Sequence, residues 1–267
     1  MLRAIAHPTD FATDGAGAFA HALRLAVAYR CRLDLLHVHS PDDRGDGADF
    51  PHVRDILHRW HLPPAAAPVE AIESHLGVTV RKIAIRDQTA VDGVVHYLCD
   101  HRPDLLVVAT HARQGLSRWL QGSISETVAR ATHLPTLFIG SAAHGFVAEE
   151  TGVLRLDRTL MPVAVAPRPQ RAYEQLARLL QPTATTIYPV HVGEGRPALH
   201  TADGRQVDIA TTSGAVVPAI LEVASRIGAD LIAMPTAGHQ GYLDALRGST
   251  TEQVVRRAPC PVLALPA

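Results

Sequence analysis

Two segments place glycine beside serine at the opening of a helix-forming stretch, Gly122-Ser123-Ile124-Ser125-Glu126 and Gly248-Ser249-Thr250-Thr251-Glu252. Serine followed three residues later by glutamate is a capping box, in which the two side chains satisfy free backbone N–H groups of the first turn. Such a cap stabilises a helix by about 1 kcal/mol with no ligand involved. Histidine raises a second chemistry, because the chain holds 16 of them. His7, His39 and His111 stand at or just after strand ends, and three converging imidazoles could bind zinc. His52, His58 and His61 have the spacing of a solvated helix face instead, and no functional metal is expected. Hydrolysis has little footing: there is no Gly-x-Ser-x-Gly elbow, no His-Glu-x-x-His and no carboxylate pair set by spacing. Asp104 and Asp230 each precede an apolar strand and read as turn or cap groups.

The elements that position these residues repeat along the chain. From Asp104 to Leu137 the sequence matches itself without a gap 126 positions later. Gln114-Gly115 meets Gln240-Gly241, Gly122-Ser123 meets Gly248-Ser249, and Pro135 meets Pro261. Nearer the start the offset is 154, with Pro8 facing Pro162 and His37-Val38 facing His191-Val192. The second copy therefore lacks 28 residues, supplied in the first by the region from Ser40 to Leu76 with its helical stretch Val53, Ile56, Leu57 and Trp60. The pattern predicts a first domain over 1–141, a linker over 142–157 and a second domain over 158–267. Within the first, strands are predicted over 2–7, 33–39, 78–85, 105–110 and 136–139, and helices over 18–29, 91–101 and 123–132. Continuous apolar strands alternating with helices imply an α/β fold: two tandem Rossmann-like or flavodoxin-like domains, each a five-stranded parallel sheet covered on both faces, the second lacking one helix. Such sheets take ligands beyond the carboxyl ends of their strands.

Composition excludes several classes. With 47% hydrophobic and 19% charged residues the chain has a core to bury. A net charge of −1 without a basic block points to neither nucleic acid nor an anionic membrane. No apolar run reaches the roughly 20 residues of a membrane helix. Cys31, Cys99 and Cys260 lie far apart, which argues against a disulfide framework and for a reducing cytoplasm.

After the strand at 105–110 comes His111-Ala112-Arg113-Gln114-Gly115 and onward to Gly122-Ser123; its counterpart runs from Pro235-Thr236-Ala237-Gly238 to Gly248-Ser249. Both resemble the signature of the universal stress protein family, a strand running into Gly-x-x-Gly, nine residues, then Gly-Ser or Gly-Thr opening a helix. The segment from Arg257 to Leu263 and the opening Pro8-Thr9-Asp10-Phe11 resemble that family too, so the likeness spans the chain twice. It implies a stress-response protein with a regulatory adenine-nucleotide site for ATP or AMP, acting through a protein partner of unknown identity, with at most slow ATP hydrolysis. Carried over, the site residues are Asp10, Val38, Gly122, Ser123 and Ser125 in repeat one, and Val192, Gly238, Gly248, Ser249 and Thr250 in repeat two. His37 and His111 stand where the family commonly carries histidine without metal. Departures divide the site between the copies. Ala109 and Ala112 replace the leading glycines of repeat one, where an added methyl meets the phosphate path. In repeat two Pro235 removes an N–H and Ala164 stands at or near the position of Asp10. One degenerate site per chain is expected rather than two. The resemblance also implies that the strands at 136–139 and 262–265 pair within the chain as a pseudo-dimer, with a further homodimer left open. The alternatives are a structural or protein-interaction module with decayed sites, or a weak ATPase.

Overall fold

The computed structural model describes residues 2–10, 15–39, 50–62, 75–110, 124–141, 143–165, 169–236 and 250–266. They form two compact units, the first holding Met1–Leu134 and Val147–Leu154, the second Pro135–Phe146 and Arg155–Ala267.

Unit 1 is built on strands β1 (Ala4–Pro8), β2 (Arg32–His39), β3 (Thr79–Arg86) and β4 (Leu105–Thr110), in the order β3-β2-β1-β4. Their pairings are parallel. β1 and β4 are almost wholly apolar and mostly buried, and β2 buries its central Leu33–Leu36 run, as strands covered on both faces must. The helices are α1 (Ala16–Tyr29), α2 (Val53–Arg59), α3 (Ala90–His101) and α4 (Ile124–Thr132). α1 packs on the face that carries His7, through Phe19. α3 packs on the face that carries Asp34, whose carboxylate accepts a hydrogen bond from the Tyr97 hydroxyl at 3.1 Å and pairs with Arg32 at 3.0 Å.

Asp104 caps this sheet at its far end, its Oδ2 accepting from the backbone N–H groups of Arg3 (2.7 Å) and Ala4 (3.1 Å). Asp230 does the same in the second unit, accepting from Asp157 and Arg158, both at 2.9 Å. The capping role expected for this pair is what they perform, and it ties each first strand to the strand 126 residues away from its twin.

The 28-residue insertion of the first repeat contributes α2 and Trp60. Segment 147–154 folds over them as a strap closed by an antiparallel bridge between Val147 and Leu154. Trp60 Nε1 donates to the Glu149 carbonyl at 2.9 Å and Arg24 Nε to the Gly152 carbonyl at 2.8 Å. His21, buried in α1, donates from Nδ1 to the Gly17 carbonyl and accepts the Val147 N–H at Nε2, 3.2 Å away. Trp60 is thereby buried.

Unit 2 holds β5 (Thr136–Gly140), β6 (Arg158–Pro162), β7 (Thr186–Val192), β8 (Ala210–Thr212), β9 (Leu231–Thr236) and β10 (Val262–Pro266), with α5 (Gln170–Leu180), α6 (Val216–Ile227) and α7 (Thr250–Arg257). The order is β5-β10-β9-β6-β7-β8. β6 to β10 pair in parallel, while β5 runs antiparallel to β10 with Leu137 opposite Leu263. Residues 193–209 connect β7 to β8 through turns and a bridge, with no helix, so this copy lacks the counterpart of α2.

Candidate functional site

Each unit has a cavity at the carboxyl ends of its parallel strands, of about 260 Å³ in unit 1 and about 250 Å³ in unit 2. Their walls correspond residue by residue through the repeat. Pro8, Thr9 and Asp10 line the first where Pro162, Val163 and Ala164 line the second. His37 and Val38 at the end of β2 correspond to His191 and Val192 at the end of β7. Ala109 stands for Pro235, Ser125 for Thr251, and Val94 of α3 for Ile220 of α6.

The shared scaffold comes from one repeated contact. His37 Nδ1 donates to the Thr9 carbonyl at 2.8 Å, and His191 Nδ1 to the Val163 carbonyl at 2.9 Å. The N–H of Thr9 in turn donates to Leu36 and that of Val163 to Val190, both at 2.8 Å. These bonds hold the chain leaving β1 or β6 against the neighbouring strand and so fix the position of the next residue, Asp10 or Ala164. The histidines at 37 and 191 are thus positioning groups for the loop.

The chemistry of the two cavities differs. Unit 1 offers the exposed carboxylate of Asp10, the hydroxyl of Thr9 and the imidazole of His7. His7 lies at the switch in strand order between β1 and β4, its Nδ1 donating to the Val107 carbonyl at 2.9 Å. Burial pushes its pKa down to about 4, against the upward pulls of the Val107 carbonyl and of Asp10, so it is neutral at physiological pH. Ser125, in the first turn of α4, donates its hydroxyl to the Ala109 carbonyl at 2.8 Å; its oxygen keeps only acceptor capacity toward a ligand. In unit 2 valine and alanine replace Thr9 and Asp10, and Val216, Ile220, Met234 and Pro235 complete a mainly apolar wall. Thr250 and Thr251 are its hydroxyl groups.

Of the residues expected at a site, Asp10, Val38 and Ser125 come together in the unit 1 cavity, and Val192 and Thr250 in that of unit 2. Gly122, Ser123, Gly238, Gly248 and Ser249, like Ala112 and His111, lie outside the described residues. Among the described residues no group of three or more His, Cys, Asp or Glu side chains could hold a metal ion. His39 packs edge-on against His37, ring centroids 4.6 Å apart. Burial also pushes the thiols of Cys31 and Cys260 up to about 12, which leaves them protonated and unreactive. Sequence reasoning missed several wall positions, Thr251, Ala90 and Val94 among them. The offset of 126 pairs Ser125 with Thr251 rather than Thr250, and could have found it. Ala90 and Val94 of α3 carry no motif and reach the cavity only through the fold. His7 read as a possible metal ligand, and the carbonyl that binds its Nδ1 was invisible until β4 lay beside β1.

The family model described as "Universal stress protein family" matches residues 1–140 and 196–266. The chain belongs to the universal stress protein family. Two solved structures are similar to it over nearly its whole length. A universal stress protein from Archaeoglobus fulgidus DSM 4304 is 22% identical with a TM-score of 0.63, covering 98% of this chain and 96% of its own. A putative universal stress protein from Pseudomonas aeruginosa UCBPP-PA14 is 13% identical with a TM-score of 0.60, covering 99% and 93%. These likenesses bear on the fold. No curated protein matches the chain. Among the described residues no helix is long and apolar enough to cross a membrane.

Proposed function

We propose that the chain is a nucleotide-responsive stress protein with one adenine-nucleotide site, formed by the cavity of unit 1, whose occupancy changes the affinity for a protein partner. The observation that carries this reading is the convergence of Asp10, Val38 and Ser125 on one cavity at the switch in strand order. The base and ribose lie against Val38 and Asp10, and the phosphates run toward the start of α4, where the first-turn N–H groups and the helix dipole favour anions. Unit 2 takes no equivalent ligand, because Val163 and Ala164 offer nothing to a ribose hydroxyl. A reading as a decayed interaction module draws on two features: Ala109 in place of glycine, and the Ser125 hydroxyl already committed to the Ala109 carbonyl.

Calorimetric titration with ATP and AMP separates the two. A hydrogen bond to a charged group contributes about 1.5–3 kcal/mol, so Asp10→Ala is expected to weaken binding roughly ten- to a hundredfold. Nucleotide affinity that is the same with and without the Asp10 carboxylate would remove the unit 1 site.

A further inference from the structure

Among the described residues, the buried side-chain N and O atoms without a hydrogen-bond partner are His7 Nε2 and His191 Nε2, and both histidines line a cavity. Native proteins seldom bury a polar atom unpaired, and such exceptions concentrate where a ligand or water completes the bond. The two differ in their described surroundings. Gly195 closes over His191, where an added Cβ would meet Nε2 at 3.0 Å. Around His7, which is itself buried at the inner wall of the cavity, Val107 holds Nδ1 and the Phe19 ring lies with its centroid 6.1 Å away.

The bond to a carbonyl fixes the His7 tautomer. A carbonyl only accepts, so Nδ1 carries the proton and Nε2 presents a lone pair. A lone pair selects a ligand group bearing N–H or O–H and repels an anionic oxygen, so the His7 end of the cavity is not the phosphate end. At the matching place in unit 2 stands Met161, fully buried, which has no such acceptor.

We propose that His7 Nε2 is the specificity-determining acceptor of the unit 1 cavity, taking a hydrogen bond from the nucleoside part of the ligand. This rests on the nucleotide reading above. Two nucleoside groups share the required chemistry, the exocyclic amine of the base and the ribose hydroxyls.

The test uses the full chain with 15N-labelled histidine. In the native protein the unprotonated Nε2 resonance of His7, assigned by its loss in His7→Gln, is expected to move upfield as ATP saturates the site. Calorimetry then compares ATP with its 2′-deoxy and 3′-deoxy forms and with purine riboside triphosphate, which lacks the amine. One of these should bind the wild type about tenfold more weakly than ATP, the scale of one lost hydrogen bond. The amine-less analogue would mark the base as the donor, and a deoxy analogue the ribose. His7→Phe, which keeps the ring volume, should abolish that preference, and His7→Gln, whose amide oxygen can reach the place of Nε2, should restore part of it. An Nε2 resonance unmoved by saturating ATP, or full discrimination retained in His7→Phe, overturns the role of His7 while leaving the nucleotide site standing. Absence of ATP binding by the wild type overturns both.

Discussion

His7 and His21 are both buried in unit 1 with Nδ1 bound to a backbone carbonyl, and burial pushes each pKa down from 6.5 to about 4. The folded chain therefore binds fewer protons than the unfolded chain across that interval. Their contribution to stability is complete above pH 6.5 and is lost as pH falls toward 4. One pKa unit corresponds to about 1.4 kcal/mol, so each imidazole removes about 3 kcal/mol by the bottom of the window. Denaturant titrations between pH 7 and pH 4 should show this decline, and His7→Phe should flatten it by about half. A slope unchanged by His7→Phe would mean that His7 charges freely in the folded state. At this scale the sequence was partly legible. Asp10, Val38 and Ser125 were readable because motif position carries them, whereas the tautomer of His7 and the engagement of Ser125 with Ala109 depend on carbonyls brought in from another strand.

Most element boundaries were read to within a few residues because the signals are local, such as the continuous apolar run of β4; the cap that starts α3, Thr89 accepting the Asp92 N–H, carried no signal that was read. The helix ends were less legible. α3 ends on Arg102 in the left-handed region, φ 37°, and its counterpart α6 ends on Gly228 at φ 58°. Only glycine adopts that conformation without a Cβ penalty, so Arg102→Gly should stabilise the protein by about 1 kcal/mol in thermal or denaturant unfolding. Loss of stability would show that the Arg102 side chain makes a compensating contact. The strap at 147–154 was read as plain linker, because its partner, Trp60, lies some ninety residues away. Gly152 is at φ +65° and a Cβ there would fall 2.3 Å from the Trp60 ring, so Gly152→Ala should cost upward of 1 kcal/mol through both strain and overlap. Truncating the ring as Trp60→Ala should cost about 3–5 kcal/mol. Trp60 fluorescence reports the first, since a displaced strap exposes the indole, and denaturant unfolding measures the second.

Across the whole molecule, duplication supplied two cavities on one plan and later substitution made them unlike. The repeat was legible from identities alone, and with it the α/β class, because matching runs 126 positions apart demand matching strands and helices. The difference between the cavities was legible only in part: Ala164 announced the lost acid, while the apolar replacement of Thr9 by Val163 and the buried acceptor of His7 required the walls to be seen. Under the proposal, ligand binding belongs to unit 1, and unit 2 keeps the same cavity plan without the acid of Asp10. The most direct measurement is the number of nucleotides bound per chain, taken by mass spectrometry of nucleotide released from the freshly purified protein and by calorimetry with ATP and AMP. One nucleotide per chain is predicted, bound roughly ten- to a hundredfold more weakly in Asp10→Ala and retained in Gly248→Val. Two nucleotides per chain, or a single one lost in Gly248→Val and kept in Asp10→Ala, would contradict the assignment to unit 1, and none at millimolar nucleotide would leave the Gly-Ser elements as helix caps.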